Sequence, residues 1–266
     1  MTYSFSPATS KLAVSLDDGI ATIAINNRPK YNAVDLEMWK AFPALMEALD
    51  RDESVRAVLV RGAGEAAFAS GADIAEFETV RANAEGGRLY EAANEAAFWA
   101  VAHCSKPVIA MIRGFCLGGG FGLALSCDLR IASETAIFGI PAARLGVGYP
   151  PGAMKLVTAA VGAPAAKDLF FTARRIDAQE AHRLGVVQRL VPDRELEAVT
   201  QALARTIVEN APLTIRAAKA AIDASVGVAH PNVDPLALAD CCFDSLDAVE
   251  GREAFLQKRR PVFNGR

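Results

Sequence analysis

Side chains that usually carry out catalysis are scarce in this chain. Its 266 residues include only three histidines, His103, His182 and His230, and five cysteines. The histidines are scattered and no H-x-x-x-H or C-x-x-C spacing occurs, so the pattern predicts no metal site. Ser70 lies in the stretch FASGA, which lacks the G-x-S-x-G pattern of a nucleophile elbow. The sequence therefore points away from metal-assisted and serine-nucleophile chemistry.

Two loops rich in small residues offer backbone chemistry instead. They are FASGADI at residues 68–74 and GFCLGGGFG at residues 114–122. Each follows an apolar strand-like run and precedes a helical run, and small residues let a ligand approach main-chain N–H groups closely. Two N–H groups near helix starts, aimed at one carbonyl oxygen, would stabilise an oxyanion or enolate. Tight strand–helix packing, which also requires glycine, is the alternative for either loop.

The second loop does not match the nucleotide-binding patterns that its glycines suggest. It fails the G-x-G-x-x-G spacing because residue 123 is leucine, and no acidic partner follows on a strand about 20 residues on. No G-x-x-x-x-G-K-[ST] phosphate-binding loop is present. A nicotinamide oxidoreductase is thus disfavoured, although NADH turnover would revive it.

An α/β core followed by a helical C-terminal region is the architecture that must position these loops. An Asp-Asp-Gly turn predicts a hairpin over residues 11–26, and Asp35 is expected to cap a helix running to about Asp50. Further strands are expected at residues 57–62, 107–112, 128–132, 136–139 and 186–191. Helices are expected from residue 74 to about 102, over 121–128 after a turn at the triple glycine, and at 200–210, 213–225, 235–246 and 249–258.

Composition is that of an ordinary soluble globular protein. Apolar residues make up 52%, charged residues 22%, and the formal net charge is −3. The near-balanced charge argues against a nucleic-acid partner, and the absence of an 18-residue apolar run argues against a membrane span. The first eleven residues lack the basic and apolar regions of a signal peptide. With an odd number of cysteines, read as small core residues, the sequence favours a reducing cytoplasm.

Five ordered segments resemble the crotonase superfamily, also called the enoyl-CoA hydratase/isomerase family. The resemblance covers nearly the whole chain, from Val14 to Gly265. The segments are AFASGADIAEF (67–77), GFCLGGGFGLALSCDLRIAS (114–133), AIFGIPAARLGVGYPPGA (136–153), FFTARRIDAQEAHRLGVVQRLVP (170–192) and AFLQKRRPVFNG (254–265). The resemblance implies a spiral of ββα turns over residues 1–200 and a helical region at 201–266 that forms a homotrimer or a homohexamer.

The resemblance also implies an acyl-CoA thioester as ligand, with no cofactor apart from the coenzyme A of the substrate. The thioester oxygen would lie between the backbone N–H groups of Ala72 and Gly119. Coenzyme A would contact residues in both loops, in the N-terminal loop around residue 30, and in a C-terminal region that often closes a neighbouring subunit's site. These residues are Lys30, Ala69, Gly71, Asp73, Ile74, Gly118, Phe255 and Lys258. For Lys30 and Lys258 an ordinary solvated lysine is the alternative.

The chain departs from the family pattern at the two catalytic glutamates. In hydratases of the family, one glutamate lies two residues after the triple glycine, where this chain has Gly122. They carry the other after the F-G-x-P segment, where this chain has Ala142. Hydration requires a base for water and an acid for the α-carbon, each worth roughly 10²–10⁴-fold. The pattern therefore predicts poor hydration of ordinary enoyl-CoA substrates.

Tyr149 is the leading candidate to move protons in place of the glutamates. Methylmalonyl-CoA decarboxylases of the family resemble this stretch and carry a tyrosine at the matching place, but they also carry a histidine where this chain has Ala72. A core tyrosine is the alternative for Tyr149. Glu76 is a lesser candidate, and Arg144 could meet an acyl carboxylate or form a surface pair.

Three functions remain open at this point. The first is an enolate-stabilising enzyme of enoyl-CoA hydratase/isomerase type, and the second is a malonyl-type decarboxylase or an acyl-CoA hydrolase. Loss of CO₂ from a malonyl-type thioester would generate the enolate without a base, so backbone donors alone would assist it. The third is a non-catalytic acyl-CoA-binding subunit that lost its carboxylates.

Overall fold

Ten strands form two sheets in the computed structural model, which describes residues 8–266. The reading of the first eleven residues as no signal peptide rests largely on residues outside that range. The strands are β1 (Leu12–Asp17), β2 (Ile20–Ile25), β3 (Ala57–Gly62), β4 (Ala67–Ala69), β5 (Val108–Ile112), β6 (Phe115–Leu117), β7 (Leu129–Ser133), β8 (Ile137–Gly139), β9 (Arg175–Asp177) and β10 (Arg189–Val191).

Strands that follow one another along the chain are added to the two sheets in turn. The larger sheet has the order β1-β2-β3-β5-β7-β10, and all its pairs are parallel except β1–β2. The smaller sheet has the order β4-β6-β8-β9, with β4, β6 and β8 parallel. Each of the successive pairs β3–β4, β5–β6 and β7–β8 therefore adds one strand to each sheet before a helix follows. This is the spiral of ββα turns that the family resemblance implies.

Helices fill the connections and most of the C-terminal third. They are α1 (Leu36–Arg51), α2 (Phe77–Val80), α3 (Ala84–Ala102), α4 (Gly119–Ser126), α5 (Ala142–Leu145), α6 (Pro151–Val161), α7 (Ala163–Thr172), α8 (Ala178–Arg183), α9 (Leu196–Val208), α10 (Pro212–Ser225), α11 (Pro235–Phe243) and α12 (Leu246–Gln257). Short 3₁₀ turns cover Arg28–Lys30, Ile74–Glu76 and Asp193–Glu195.

Local sequence signals account for the first hairpin and the first long helix. Asp18 and Gly19 both have positive φ, 44° and 77°, as a two-residue turn between twisted strands requires. The side chain of Asp35 accepts a hydrogen bond of 2.9 Å from the Met38 N–H, which caps α1. Both predictions are confirmed.

The larger sheet is covered on both faces, which explains its nearly continuous apolar strands. Val58 and Val60 of β3 belong to the main core, which α1, α3 and α4 complete. Leu59 between them faces the other way, into a second cluster with Leu196 and Ala204 of α9. The predicted boundary between residues 200 and 201 falls inside α9, a helix that packs directly on this sheet.

Several expectations about element ends were wrong, and three of them have a clear local cause or extent. The strand expected at residues 186–191 forms only at Arg189–Val191. The helix expected from residue 74 to 102 is broken between Val80 and Ala84, where Asn83 caps α3 through the Gly86 N–H. The helix expected to reach residue 246 ends at Phe243, because the Ser245 side chain caps the next helix. In the last two cases a side-chain cap interrupts a run whose composition favours one helix.

The cysteines are all unpaired, but they are not all in the core. Cys104, Cys116 and Cys127 are buried, whereas Cys241 is exposed and Cys242 is half-buried. The expectation of five core cysteines is therefore wrong for the pair on α11. No helix within residues 8–266 combines the length and the apolar character needed to cross a membrane.

Candidate active site

The loop after β4 holds the Ala72 N–H free. Val34 pairs with the residues on both sides of Ala72: its N–H donates to Gly71 O at 2.8 Å, and its carbonyl accepts from the Asp73 N–H at 3.2 Å. Main-chain N–H groups alternate in direction along an extended segment, so the N–H of Ala72 points away from Val34. Among the described residues it finds no acceptor.

The start of α4 presents a second free N–H, that of Gly119. Gly118 adopts φ 52° and ψ −126°, a conformation that strongly favours glycine, and α4 begins at the next residue. The first N–H of a helix has no intrahelical partner, and the Gly119 N–H has none elsewhere in residues 8–266. A Cβ at Gly120 would lie 2.6 Å from the Ala69 Cβ, so glycine there lets α4 approach β4.

The two loops meet at one cavity of about 70 Å³. A Cβ at Gly118 would lie 3.6 Å from the Gly71 Cα, so the loops are in van der Waals contact. The cavity is lined by both loops, the α2–α3 region and the segment from β8 to α6. Its lining residues are Ser70, Gly71, Ala72, Ile74, Phe77, Arg81, Tyr90, Glu91, Asn94, Gly118, Gly119, Pro141, Ala142, Leu145, Val147 and Tyr149.

Most of the predicted loop residues line this cavity, but five of the residues predicted to contact coenzyme A do not. Ala69 is wholly buried in β4, and the Asp73 side chain accepts from the Ala75 N–H. Lys30 donates to Asp73 at 2.5 Å and so packs beside the first loop. Phe255, which is 83% exposed, and Lys258 lie at the end of α12, away from the cavity of the same chain. Their roles toward coenzyme A stay predictions.

The two positions that lack glutamates differ in their surroundings. Ala142 is buried at the start of α5 and lines the cavity. Gly122 is buried in α4, and a Cβ there would lie 2.5 Å from Phe98 Cζ on α3. The Phe98 ring thus occupies the space into which a side chain at position 122 would extend. One of the two positions faces the cavity, and the other is closed by an aromatic ring.

Tyr149 reaches the cavity as an undissociated phenol. It is half-buried and packs edge-on against Phe170, with ring centroids 5.1 Å apart. Its hydroxyl makes no hydrogen bond within residues 8–266. Burial raises the pKa of Tyr149, and the negative charge of Glu91 raises it further. Tyr149 can donate a proton at neutral pH, but it cannot serve there as a general base.

The two lesser candidates lie outside the cavity. Glu76 accepts a hydrogen bond of 2.9 Å from the Leu36 N–H, and burial raises the pKa of this carboxyl. Arg144 is exposed on α5 and does not contribute to the lining. The structure therefore places Glu76 at the N-terminus of α1, and it places Arg144 on the surface.

Helix α3 supplies cavity residues that sequence reasoning missed. Glu91 and Asn94 both line the cavity, and their spacing of three places them on one helix face. Asn94 is only 4% exposed and lies on the helix side that also buries Tyr90 and Phe98. A polar residue among apolar ones at helical spacing was the available signal.

The Asn94 carboxamide has no hydrogen-bond partner among the described residues. It is nevertheless close to the Gly119 backbone, because a Cβ at Gly119 would lie 3.3 Å from Asn94 Nδ2. His103 Nε2 is the only fully buried side-chain polar atom without a partner in residues 8–266, so the Asn94 amide opens onto the cavity, where a bound ligand can hydrogen-bond to it.

Replacement of Asn94 by leucine is expected to stabilise the free protein. Leucine favours helix and buries more apolar surface than asparagine at this position, which is only 4% exposed, so the free energy of unfolding should rise by ~1 kcal/mol. Urea unfolding of wild type, Asn94→Leu and the control Asn94→Ala measures this, since alanine removes the amide but leaves a hole. An Asn94→Leu variant less stable than wild type would contradict this expectation and show that the amide itself stabilises the folded protein.

The second missed feature is an ion pair at the cavity wall. Arg81 Nη2 donates to Glu91 Oε1, and the two side chains are only 10% and 17% exposed. The guanidinium packs on two aromatic rings, with its Cζ 4.5 Å from the centroid of Phe77 and 4.5 Å from that of Tyr90. Arg81 is thereby fixed, and it holds the Glu91 carboxylate in place.

Fold and cavity together define an α/β spiral protein of the crotonase superfamily. Residues 15–266 match the family model described as enoyl-CoA hydratase/isomerase. The chain is 35% identical over 246 residues to a short-chain-enoyl-CoA hydratase of Clostridium acetobutylicum, covering 91% of this chain and 92% of that one. It is 32% identical over 264 residues to a crotonyl-CoA hydratase of Syntrophomonas wolfei, covering 96% and 98% of the two chains.

Solved structures agree with these sequence relatives. The chain superimposes on an enoyl-CoA hydratase/carnithine racemase from Magnetospirillum magneticum with a TM-score of 0.90 and 35% identity, covering 98% of this chain and 97% of that one. The chain therefore belongs to the enoyl-CoA hydratase/isomerase family. It is an enzyme family that acts on acyl-CoA substrates, as the resemblance in the sequence predicts.

Proposed function

We propose that this protein binds an acyl-CoA and stabilises the enolate of its thioester with the backbone N–H groups of Ala72 and Gly119. The observation that carries the proposal is that these two N–H groups have no acceptor within residues 8–266 and belong to residues that line one cavity. The names of the relatives, which act on short enoyl-CoA or crotonyl-CoA, support the substrate class.

The chemistry follows from where charge develops. A thioester oxygen placed between the two donors gains negative charge as the α-carbon loses a proton or a carboxylate. Fixed N–H donors stabilise that charge without reorganising, and removal of one such donor costs about 10²–10³-fold in kcat. The Gly119 N–H also lies at the positive end of α4.

The reaction on the enolate is proposed to be of hydratase/isomerase type but not ordinary two-glutamate hydration. Neither Gly122 nor Ala142 can activate water or protonate carbon. Isomerisation needs one proton-moving group, and decarboxylation of a malonyl-type thioester needs none to form the enolate. Both are compatible with a cavity lined, among residues 8–266, by one carboxylate, Glu91, and two phenols, Tyr90 and Tyr149.

The remaining parts of the assignment follow the family pattern. Coenzyme A is proposed to lie along residues 69–74, with Lys30 held at that loop by Asp73, and no separate cofactor is required. Phe255 and Lys258 are proposed to close the site of a neighbouring subunit in a homotrimer or homohexamer. Phe255 is 83% exposed and Phe243 81% exposed on the C-terminal helices, which supports a covered face there. Five unpaired cysteines support a cytoplasmic location.

A panel of thioesters tests the proposal. The purified protein is mixed separately with crotonyl-CoA, methylmalonyl-CoA and a longer enoyl-CoA, and products are followed by liquid chromatography and mass spectrometry. Hydration adds a water, decarboxylation removes CO₂, hydrolysis releases free coenzyme A, and isomerisation changes retention without changing mass. Saturable turnover of any of these supports an acyl-CoA enzyme.

Two outcomes would change the assignment. Tight binding without product for every thioester would favour a non-catalytic acyl-CoA-binding subunit. Fast hydration of crotonyl-CoA would show that the absence of both glutamates does not disable hydration. Failure to bind any thioester, with free coenzyme A as the control ligand, would contradict the proposal.

A further inference from the structure

One helix carries the only carboxylate that lines the cavity. Glu91 lies on α3, opposite the loops that present Ala72 and Gly119, and Ala142 at the site of a missing glutamate borders the same space. No other aspartate or glutamate within residues 8–266 lines it. The family's two catalytic glutamates are absent, but Glu91 supplies a carboxylate to the cavity.

The position of this carboxylate is fixed from several sides. Arg81 pairs with it, and the Arg81 guanidinium in turn packs on the rings of Phe77 and Tyr90. Tyr90 is itself held, because its hydroxyl accepts from Trp39 Nε1 at 2.9 Å. A carboxylate fixed in this way loses little freedom when a substrate binds, as a proton-transfer group should.

We propose that Glu91 is the group that moves the substrate α-proton in this enzyme, with Arg81 as its positioning residue. The assignment rests on the proposed function, since it requires a thioester enolate at Ala72 and Gly119. In the forward step the Glu91 carboxylate forms an O–H bond as the Cα–H bond breaks. The electron pair of that bond passes to the enolate, whose oxygen takes the negative charge. The reverse step returns the proton from the neutral carboxyl to the α-carbon.

The charges around Glu91 suit this role. Burial raises the pKa of Glu91 above its ordinary value, and Glu95 on the same helix raises it further, whereas Arg81 lowers it. The other titratable groups that face the cavity beside Glu91 are Tyr90 and Tyr149; burial raises the pKa of both phenols, so both are neutral. A carboxyl with a raised pKa is a stronger base than an exposed one.

The other acidic and phenolic groups near the cavity are less suited to take the α-proton. Asp73 accepts from Lys30 and from the Ala75 N–H, and Glu76 accepts from the Leu36 N–H. Tyr149 cannot accept a proton at neutral pH because its phenol is undissociated. Glu91 is therefore the carboxylate best placed for the α-proton.

Exchange of α-hydrogens for deuterium tests the assignment independently of the full reaction. Butyryl-CoA, which has no double bond to hydrate, is incubated with the protein in D₂O and its mass is followed. Wild type should catalyse exchange, and Glu91→Gln should lower the rate by at least about 10²-fold. Glu95→Gln, the same change one turn along α3 at a residue that does not line the cavity, is the matched control and should keep the plateau rate.

The pH profile separates a base from a merely structural residue. Exchange by wild type should rise with pH as Glu91 loses its proton, over a range above the ordinary pKa of a glutamate. This rising limb of the rate–pH profile should disappear in Glu91→Gln and move to lower pH in Glu95→Gln. Glu91→Asp keeps a charge for Arg81, so it should stay folded, with a lowered rate and a displaced limb. The folded state of each variant is checked by circular dichroism.

The possible failures are distinguishable. If wild type binds acyl-CoA but exchanges no deuterium, the proposed enolate function fails, and the Glu91 assignment fails with it. If wild type exchanges and both Glu91→Gln and Glu91→Asp keep its rate and pH limb, only the Glu91 assignment is overturned. If Tyr149→Phe removes the limb while Glu91→Gln retains it, the proton is moved by Tyr149 and the assignment is likewise overturned.

Discussion

Replacement of Gly119 by proline is expected to lower kcat/KM for the acyl-CoA substrate by about 10²–10³-fold relative to replacement by alanine. Proline removes the backbone N–H proposed to donate to the thioester oxygen. It is also a residue that the first position of a helix accepts, because the N–H there has no intrahelical partner. The loss should fall mainly on kcat, since the charge on the oxygen develops only as the enolate forms.

Alanine at the same position is the matched control. Both variants add a Cβ that would lie 3.1 Å from Trp39 Cζ2 and 3.3 Å from Asn94 Nδ2, so the steric strain is common to them. Only proline lacks the donor. Thermal unfolding of both variants checks that they share one fold. Equal kcat for folded Gly119→Pro and Gly119→Ala would remove Gly119 from the proposed pair of donors.

Restoring the first family glutamate by Gly122→Glu is expected to destabilise the protein strongly and to confer no hydration. The new Cβ would lie 2.5 Å from Phe98 Cζ, and overpacking of this kind costs about 1–3 kcal/mol. A carboxyl buried in the apolar α3–α4 contact without a partner adds several kcal/mol. The free energy of unfolding in urea should therefore fall by at least ~3 kcal/mol, with a large drop in soluble yield.

Two comparisons isolate the cause. Ala142→Glu introduces the other missing glutamate at a residue that lines the cavity, so it should cost far less stability. In a cycle of Gly122→Ala, Phe98→Ala and the double variant, the double should be more stable than the sum of the singles predicts, since each change relieves the other. A Gly122→Glu variant as stable as wild type would show that Phe98 moves aside readily.

Much of the fold could be predicted from particular local signals. The turn at Asp18 and Gly19, the cap at Asp35 and the helix after the triple glycine each depend on neighbours in the chain, and all appear as expected. Element ends were less predictable. Asn83 and Ser245 interrupt runs of good helix formers by capping the following helix, and composition alone does not show which hydroxyl or amide will cap.

The candidate site, like the fold, could be predicted only in part from the sequence. The loops with Ala72 and Gly119 were predictable, because their small residues and their places between strand and helix are properties of the sequence. The carboxylate at Glu91 was not, because nothing in the sequence relates α3 to those loops. Its pairing with Arg81, ten residues earlier, depends on the break between α2 and α3 that turns the chain back on itself.

The sequence by itself determined the family, the two loops rich in small residues and the absence of glutamates at positions 122 and 142. Each of these is a matter of residue type and order along the chain. The tertiary structure alone decided what replaces the missing groups: Phe98 fills the space at Gly122, and Glu91 enters the cavity from another helix. The physical reason is that burial, ion pairing and cavity shape depend on which elements pack together, and that packing is not encoded in any short segment.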